Sequence, residues 1–339
     1  MMNYNSTKLM FLILLMMSTI LSISSYSWFS MWMGLEMNLM AFIMIMSNYK
    51  NMMNSESSIK YFMVQALTST IFLSSIIMLI LEVDYNNVDY IMKLTLNLSL
   101  MIKMGAAPFH LWFIQILNNM NWMSCLILMT WQKISPMIIL SYFMNNYIII
   151  LIMMISIITG SIGGINQSFL RTIMGYSSIN NLGWLLMCMM ISETLWNFYF
   201  IMYSMLNMVM IFMFNSMKMF HINQSYSINN IKPLTKFLIN LNILSLGGLP
   251  PFLGFLPKWM TLKMMLMNNM IFYSLLMMMM SLITLYYYLQ INFSSMMLNY
   301  YNQKFNNNSF FNKNMMNYLY MLTFLSMTTL SVSSMMFNF

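Results

Sequence analysis

Lys103-Met104-Gly105-Ala106-Ala107-Pro108-Phe109-His110 interrupts an apolar run long enough to cross a bilayer, and that interruption decides the fold. Proline removes a backbone donor and clashes with the turn before it. Glycine frees the backbone further. Carbonyls exposed at such a break are tolerated in a membrane only where they line a cavity or lie buried in protein. A second stretch repeats the pattern: Ser245-Leu246-Gly247-Gly248-Leu249-Pro250-Pro251-Phe252, then Gly254 and Pro257. Both contain Gly-x-x-Pro followed closely by Phe.

The residues around the breaks set the solvent. Hydrophobic residues make up 60% of the chain and charged residues 6%, against about 25% charged in a soluble domain. Such a surface suits lipid. The net charge of +8 is not a nucleic-acid signal: Arg171 is the only arginine, lysines stand singly between apolar runs, and no basic cluster is interleaved with aromatics. About twenty apolar residues cross a bilayer core of about 30 Å. By that measure the sequence predicts an all-α polytopic membrane protein, residues 1–339 forming one membrane domain with about eleven spans: 9–25, 28–47, 60–81, 92–117, 122–143, 147–165, 171–191, 195–217, 237–265, 270–293 and 317–337. The first run lacks a small-residue cleavage site and reads as a retained span. Polar connectors at 48–58, 82–90, 118–121, 145–146, 218–236 and 299–316 separate the others. Spans one to five (9–143) and six to ten (147–293) form two equal sets, with 317–337 as a final helix. The break falls in the fourth member of each set, the fourth and ninth spans. Five is odd, so the second set enters from the opposite face. That is the arithmetic of an inverted repeat, in which paired broken helices point to the transport site.

The loops set the orientation. One side collects Lys8, Lys50, Lys60, Arg171, Lys218, Lys232, Lys236, Lys304 and Lys313 against Glu56. The other collects Lys93 and Lys263 against Glu82, Asp84, Asp89 and Glu193. Positive loops stay inside, which predicts an N-terminus inside and a C-terminus outside.

Three basic residues and one acid remain within spans: Lys103, Lys133, Lys258 and Glu36. Each charge at mid-bilayer costs about 2.5–3.5 kcal/mol on insertion scales, which a proton pathway requires and a scaffold does not. A lysine in a low-dielectric site loses part of its preference for the charged form, and a nearby carboxylate restores it. Glu36 and Lys103 are the natural pair of opposite sign. Static ion pairing between helices is the rival reading. His110, two residues past the first break, is a candidate relay; as a lone helical histidine it is equally a packing residue. Cys125 and Cys188 read as small buried hydrophobes without metal-ligand spacing. Gly160-Ser161-Ile162-Gly163-Gly164 lacks the context of a nucleotide loop and fits close helix packing. No metal or cofactor site stands out.

The excess of Ile, Met, Asn, Phe, Tyr and Lys, with 53 methionines, resembles the coding bias of an AT-rich animal mitochondrial gene of insect type. The motifs agree. Trp32-Met33-Gly34-Leu35-Glu36-Met37-Asn38, Lys103 through Trp112, Thr130-Trp131-Gln132-Lys133-Ile134-Ser135-Pro136, Ser177 through Trp184 and Gly247 through Trp259 resemble the chain 2 family of animal mitochondrial NADH–ubiquinone oxidoreductase, in order and over nearly the whole chain. The resemblance implies an antiporter-like subunit in the membrane arm of respiratory complex I, in the mitochondrial inner membrane, with its N-terminus in the matrix and its C-terminus in the intermembrane space. It implies two inverted five-helix bundles and proton transfer by Glu36, Lys103, Lys133 and Lys258. It places FMN, iron–sulfur clusters and ubiquinone in other subunits. Its partners are then membrane-arm subunits, phospholipids, protons and internal water. On this view Lys103 passes its proton through water and Lys133 toward Lys258. Asn181 stands where many relatives have histidine, and asparagine takes no proton at neutral pH. A stand-alone cation/proton antiporter and a purely structural membrane-arm subunit are the alternatives.

Overall fold

The structure, a computed structural model, describes residues 6–47, 51–81, 86–226 and 233–297, with Tyr320 and Thr323. Helix dominates, and among the described residues the β pairing is one isolated bridge between Phe169 and His221. The chain divides into two compact units, Met1–Met153 and Met154–Phe339. Among the described residues seven helical stretches are long and apolar enough to cross a membrane: Ser6–Ser24, Trp28–Met46, Met52–Ile80, Trp122–Ser141, Asn146–Gly163, Glu193–Met217 and Ile271–Phe293. Apart from Tyr320 and Thr323, the expected span at 317–337 lies outside the described residues, as do Lys50, Glu82, Asp84, Lys232, Lys304 and Lys313.

In the first unit α1 (Ser6–Ser24) and α2 (Trp28–Met46) form a tight hairpin. Ser27 caps α2 by accepting from the Ser30 amide at 3.3 Å, which supplies one of the orphan donors of a helix start. Gly34 lets the helices close: a Cβ there would lie 2.8 Å from the Ser22 backbone nitrogen. Next comes α3 (Met52–Ile80), longer than its expected span. Its first two turns lie in the predicted connector 48–58. Ser55, Ser57 and Ser58 return their hydroxyls to carbonyls three residues back, and Glu56 pairs with Lys60 at 2.6 Å. A polar stretch thus stays helical. The stretch read as the fourth span, 92–117, is interrupted at the expected motif, with α4 (Asn86–Met104) before it and α5 (Leu111–Asn119) after it. The fifth carries a hinge the sequence did not announce: Thr130 separates α6 (Trp122–Met129) from α7 (Trp131–Ser141). Helix α7 holds Pro136, which cannot donate to the Gln132 carbonyl one turn back. Helix α3 packs on α2, α4 and α5, while α7 packs on α1, α4 and α6. Helix α8 (Asn146–Gly163) runs across the division between the units.

In the second unit α9 (Leu170–Ile191) meets residues 154–163 of α8 through glycine. A Cβ at Gly160 would lie 2.5 Å from the Asn180 amide nitrogen. Helix α10 (Glu193–Met217) packs on α9, and a short α11 (Ile222–Tyr226) occupies part of the loop expected at 218–236. The stretch read as the ninth span, 237–265, is likewise interrupted, with α12 (Pro233–Gly247) before the motif and α13 (Phe255–Met267) after it, both packed on α10 and on α14 (Ile271–Met297).

The exposed surface of the helices is largely apolar. Helix α14 exposes Ile271, Leu275, Met278, Leu282 and Tyr286, a helical stripe that suits lipid, and buries Ser274, Thr284 and Asn292. In hydrocarbon every polar group needs an internal partner. Buried serines and threonines accordingly bond carbonyls of their own helix, as Ser18 does to Leu15 and Ser99 to Leu96.

Candidate functional site

Each broken helix ends on a left-handed glycine, at φ +71° for Gly105 and +83° for Gly248. This is the usual terminus for a helix that must stop in place. The Gly105 amide donates to the Ile102 carbonyl at 3.0 Å and Ala106 to Met101 at 3.1 Å. The Gly248 amide reaches Leu244 and Ser245. Aligning the two glycines settles the register of the repeated pattern: Gly105-Ala-Ala-Pro108-Phe109 matches Gly248-Leu-Pro-Pro251-Phe252.

A helix end leaves carbonyls without intrahelical donors, and a polar side chain answers at both breaks. In the first unit Gln65 Nε2 donates to the Lys103 carbonyl at 3.3 Å. In the second, Lys258 Nζ donates to the Gly247 carbonyl at 3.2 Å. Lys258 is 7% exposed and Lys133 is 1% exposed. Lys103 and Glu36 are partly buried.

Aromatic faces receive two of the three ammonium groups. Lys103 Nζ lies 5.6 Å from the Phe72 ring centroid and Lys133 Nζ 5.4 Å from that of Phe113, within cation–π range. Phe113 also stands against the first break, where a Cβ on Gly105 would come 2.9 Å from its own. Glu36 attracts Lys103 through space. The expected pair is therefore long-range rather than a contact ion pair; among the described residues the contact ion pair is Glu56–Lys60. His110 Nδ1 lies 3.2 Å from the Pro108 carbonyl inside the break.

The first unit also holds a polar network that sequence reading missed. Asn38 Nδ2 donates to Gln132 Oε1 at 2.9 Å, and Gln132 Nε2 returns a bond to Asn38 Oδ1 at 3.1 Å. Tyr61 donates to the same Gln132 oxygen at 3.5 Å. These residues, with Gln65, Lys103 and Ser135, line a cavity of about 20 Å³. Lys133 does not line it. The available signal was slight: polar side chains inside apolar helices, at positions 94 residues apart for the amide pair.

In the second unit Lys258 has its own surroundings. A Cβ on Gly248 would sit 2.9 Å from its ammonium, and one on Gly247 3.7 Å from the Tyr288 Cβ. Tyr287 and Tyr288 lie with ring centroids 4.6 Å apart. Tyr203 on α10 is hydrogen-bonded to Ser178 on α9. Asn181 accepts from the Tyr199 hydroxyl at 3.1 Å, so this amide is held by a phenol rather than by another amide.

Comparison with known proteins places this architecture. Residues 25–284 match the family described as NADH:quinone oxidoreductase/Mrp antiporter, transmembrane. An Anopheles gambiae protein named NADH-ubiquinone oxidoreductase chain 2 is 44% identical over 334 residues, covering 96% of this chain and 97% of that one. Its Locusta migratoria namesake is 47% identical over 272 residues, 78% of each chain. Among solved structures, a chain of respiratory complex I from Thermus thermophilus with bound aureothin superposes with a TM-score of 0.82 at 16% identity, over 97% of this chain and 80% of that one. A chain of the Mrp complex from Dietzia sp. DQ12-45-1b gives 0.76 at 15% identity, over 84% and 59%. At those identities the solved structures speak for the fold alone. The profile match and the insect relatives carry the assignment: the chain belongs to the NADH:quinone oxidoreductase/Mrp antiporter family of membrane proteins.

Proposed function

We propose that this chain is a core membrane-arm subunit of respiratory complex I that moves protons across the mitochondrial inner membrane. NADH oxidation and quinone reduction take place in other subunits, which carry the FMN, iron–sulfur clusters and ubiquinone site. The observation that carries the proposal is the placement of lysines at and between breaks in apolar helices. Lys258 is buried against the carbonyl that ends α12, Lys103 occupies the last turn before the first break, and Lys133 is buried on α7. Groups so costly in hydrocarbon mark ion or proton routes.

In this reading Glu36 modulates Lys103 through space, Lys103 and Lys133 hold protons in the first five-helix set, and Lys258 holds one in the second. His110 relays at the first break. The repeat comprises residues 9–143 and 147–293 with a final helix at 317–337, about eleven spans in all, N-terminus in the matrix and C-terminus in the intermembrane space. The matching left-handed glycines and Gly-x-x-Pro-Phe register support the repeat. The insect relatives named chain 2 support the complex and its location. Other membrane-arm subunits and phospholipids then cover the exposed apolar faces.

The test is proton-to-electron stoichiometry in the assembled complex with Lys103→Met or Lys258→Met. Both substitutions are expected to lower it while NADH oxidation persists. Unchanged stoichiometry in both would reject the lysine mechanism.

A further inference from the structure

The cavity beside the first break contains a group that the proton reading leaves unused. Ser135 lines it, is fully buried, and its hydroxyl has no hydrogen-bond partner. Other buried serines behave differently. Ser75 on α3 and Ser99 on α4 are equally buried, yet both return their hydroxyls to carbonyls three residues back. A buried hydroxyl left unpaired is costly, so one on a residue that lines a polar cavity calls for a ligand.

The neighbours have capacity to share. Gln132 Oε1 already accepts from Asn38 and Tyr61, which occupies both lone pairs, but its amide nitrogen has given only one of two hydrogens, to Asn38. Gln65 has given a hydrogen to the Lys103 carbonyl and keeps its oxygen as an acceptor. The volume, about 20 Å³, admits one water, and a buried water wants two to four polar partners.

We infer that this cavity holds one water molecule bound by Ser135, Gln132 and Gln65, and that Ser135 and Gln132 are positioning residues that keep this water beside Lys103. The inference rests on Lys103 carrying a proton. An ammonium only donates, whereas a neutral amine also offers a lone pair. A hydroxyl and a water both turn between donor and acceptor, so together they serve Lys103 before and after its proton leaves. The reciprocal Asn38–Gln132 clasp fixes which end of the Gln132 amide is spent, and so which end is left for the water.

A density map of the intact complex, sharp enough to show waters elsewhere in these helices, is expected to show one within hydrogen-bond distance of Ser135 Oγ. Ser135→Ala and Gln132→Leu are expected to slow pumping about two- to tenfold, the range produced by losing one net hydrogen bond, and to change the pH profile of pumping. Ser135→Thr, which keeps the hydroxyl, is expected to restore both. An empty cavity in such a map overturns the inference, as does Ser135→Ala with an unaltered rate and pH profile. Should Ser135→Ala block assembly, the map of the unaltered complex decides. Lys103→Met separates the two failures. If it stops pumping while the cavity is empty, only the water site falls; if it changes nothing, the role of Lys103 falls as well.

Discussion

Gly248 shows how one atom constrains the second unit. Its φ of +83° is a conformation that L side chains rarely adopt, and a Cβ would lie 2.9 Å from Lys258 Nζ. Gly248→Ala therefore carries two penalties: about 1–2 kcal/mol for a non-glycine residue in left-handed backbone, and displacement of the ammonium from the Gly247 carbonyl. The expected outcome is a complex that melts earlier and pumps less, read by thermal inactivation of NADH-driven proton uptake. Glu56 is the contrasting case. Its pair with Lys60 is about half exposed, and such pairs contribute about 0–1 kcal/mol. Glu56→Ala should leave the melting temperature and pumping unchanged, and a large loss would show that the pair does more than extend α3. At this scale the sequence was legible for charge and opaque for amides. With 6% of residues charged, a lysine inside an apolar run is conspicuous. Asn38, Tyr61, Gln65, Gln132 and Ser135 are each ordinary in a helix, and their meeting depends on contacts between helices that no local pattern encodes.

Helices were legible where their ends are chemical. Proline and glycine predicted both breaks, and Ser27 marks the start of α2. Thr130 escaped because the hinge lies six residues before the proline in the same span and no glycine marks it. The first turns of α3 escaped because serine reads as a loop residue, although in a low-dielectric setting its hydroxyl readily bonds its own helix. The contact between α8 and α9 is a further element-level result. Gly160 permits a backbone approach that no larger residue allows. Gly160→Val should push the helices apart and reduce the amount of assembled complex, measured by native electrophoresis, whereas Met153→Leu, a volume-conserving change at a buried α8 position, should not.

Across the described residues the surface is apolar where a soluble protein's would be polar, and polar side chains share the interior with the apolar core. Met278 is exposed on α14, so Met278→Lys should cost about 2.5–3.5 kcal/mol on insertion if it faces the lipid midplane, measurable as a loss of membrane-integrated chain. Orientation has its own test. Glu193–Met217 is long and apolar enough to cross the membrane. A cysteine replacing Glu193 should react with an impermeant reagent from the intermembrane side, and one replacing Lys218 from the matrix side. The reverse labelling would overturn the orientation drawn from the lysine bias. That bias was readable without a structure because each lysine votes independently; the sequence offered no comparable signal for which helices touch.

Lys258 ties off the last carbonyl of α12 with the same ammonium that is proposed to hold a proton. Helix ends carry a partial negative charge that favours a cation, and a charged donor makes a stronger bond than a neutral one. When that nitrogen becomes an amine, the helix terminus loses its counter-charge in the same instant. Occupancy and backbone tension are then a single variable, so whatever tugs on this joint also changes how firmly the nitrogen keeps its hydrogen.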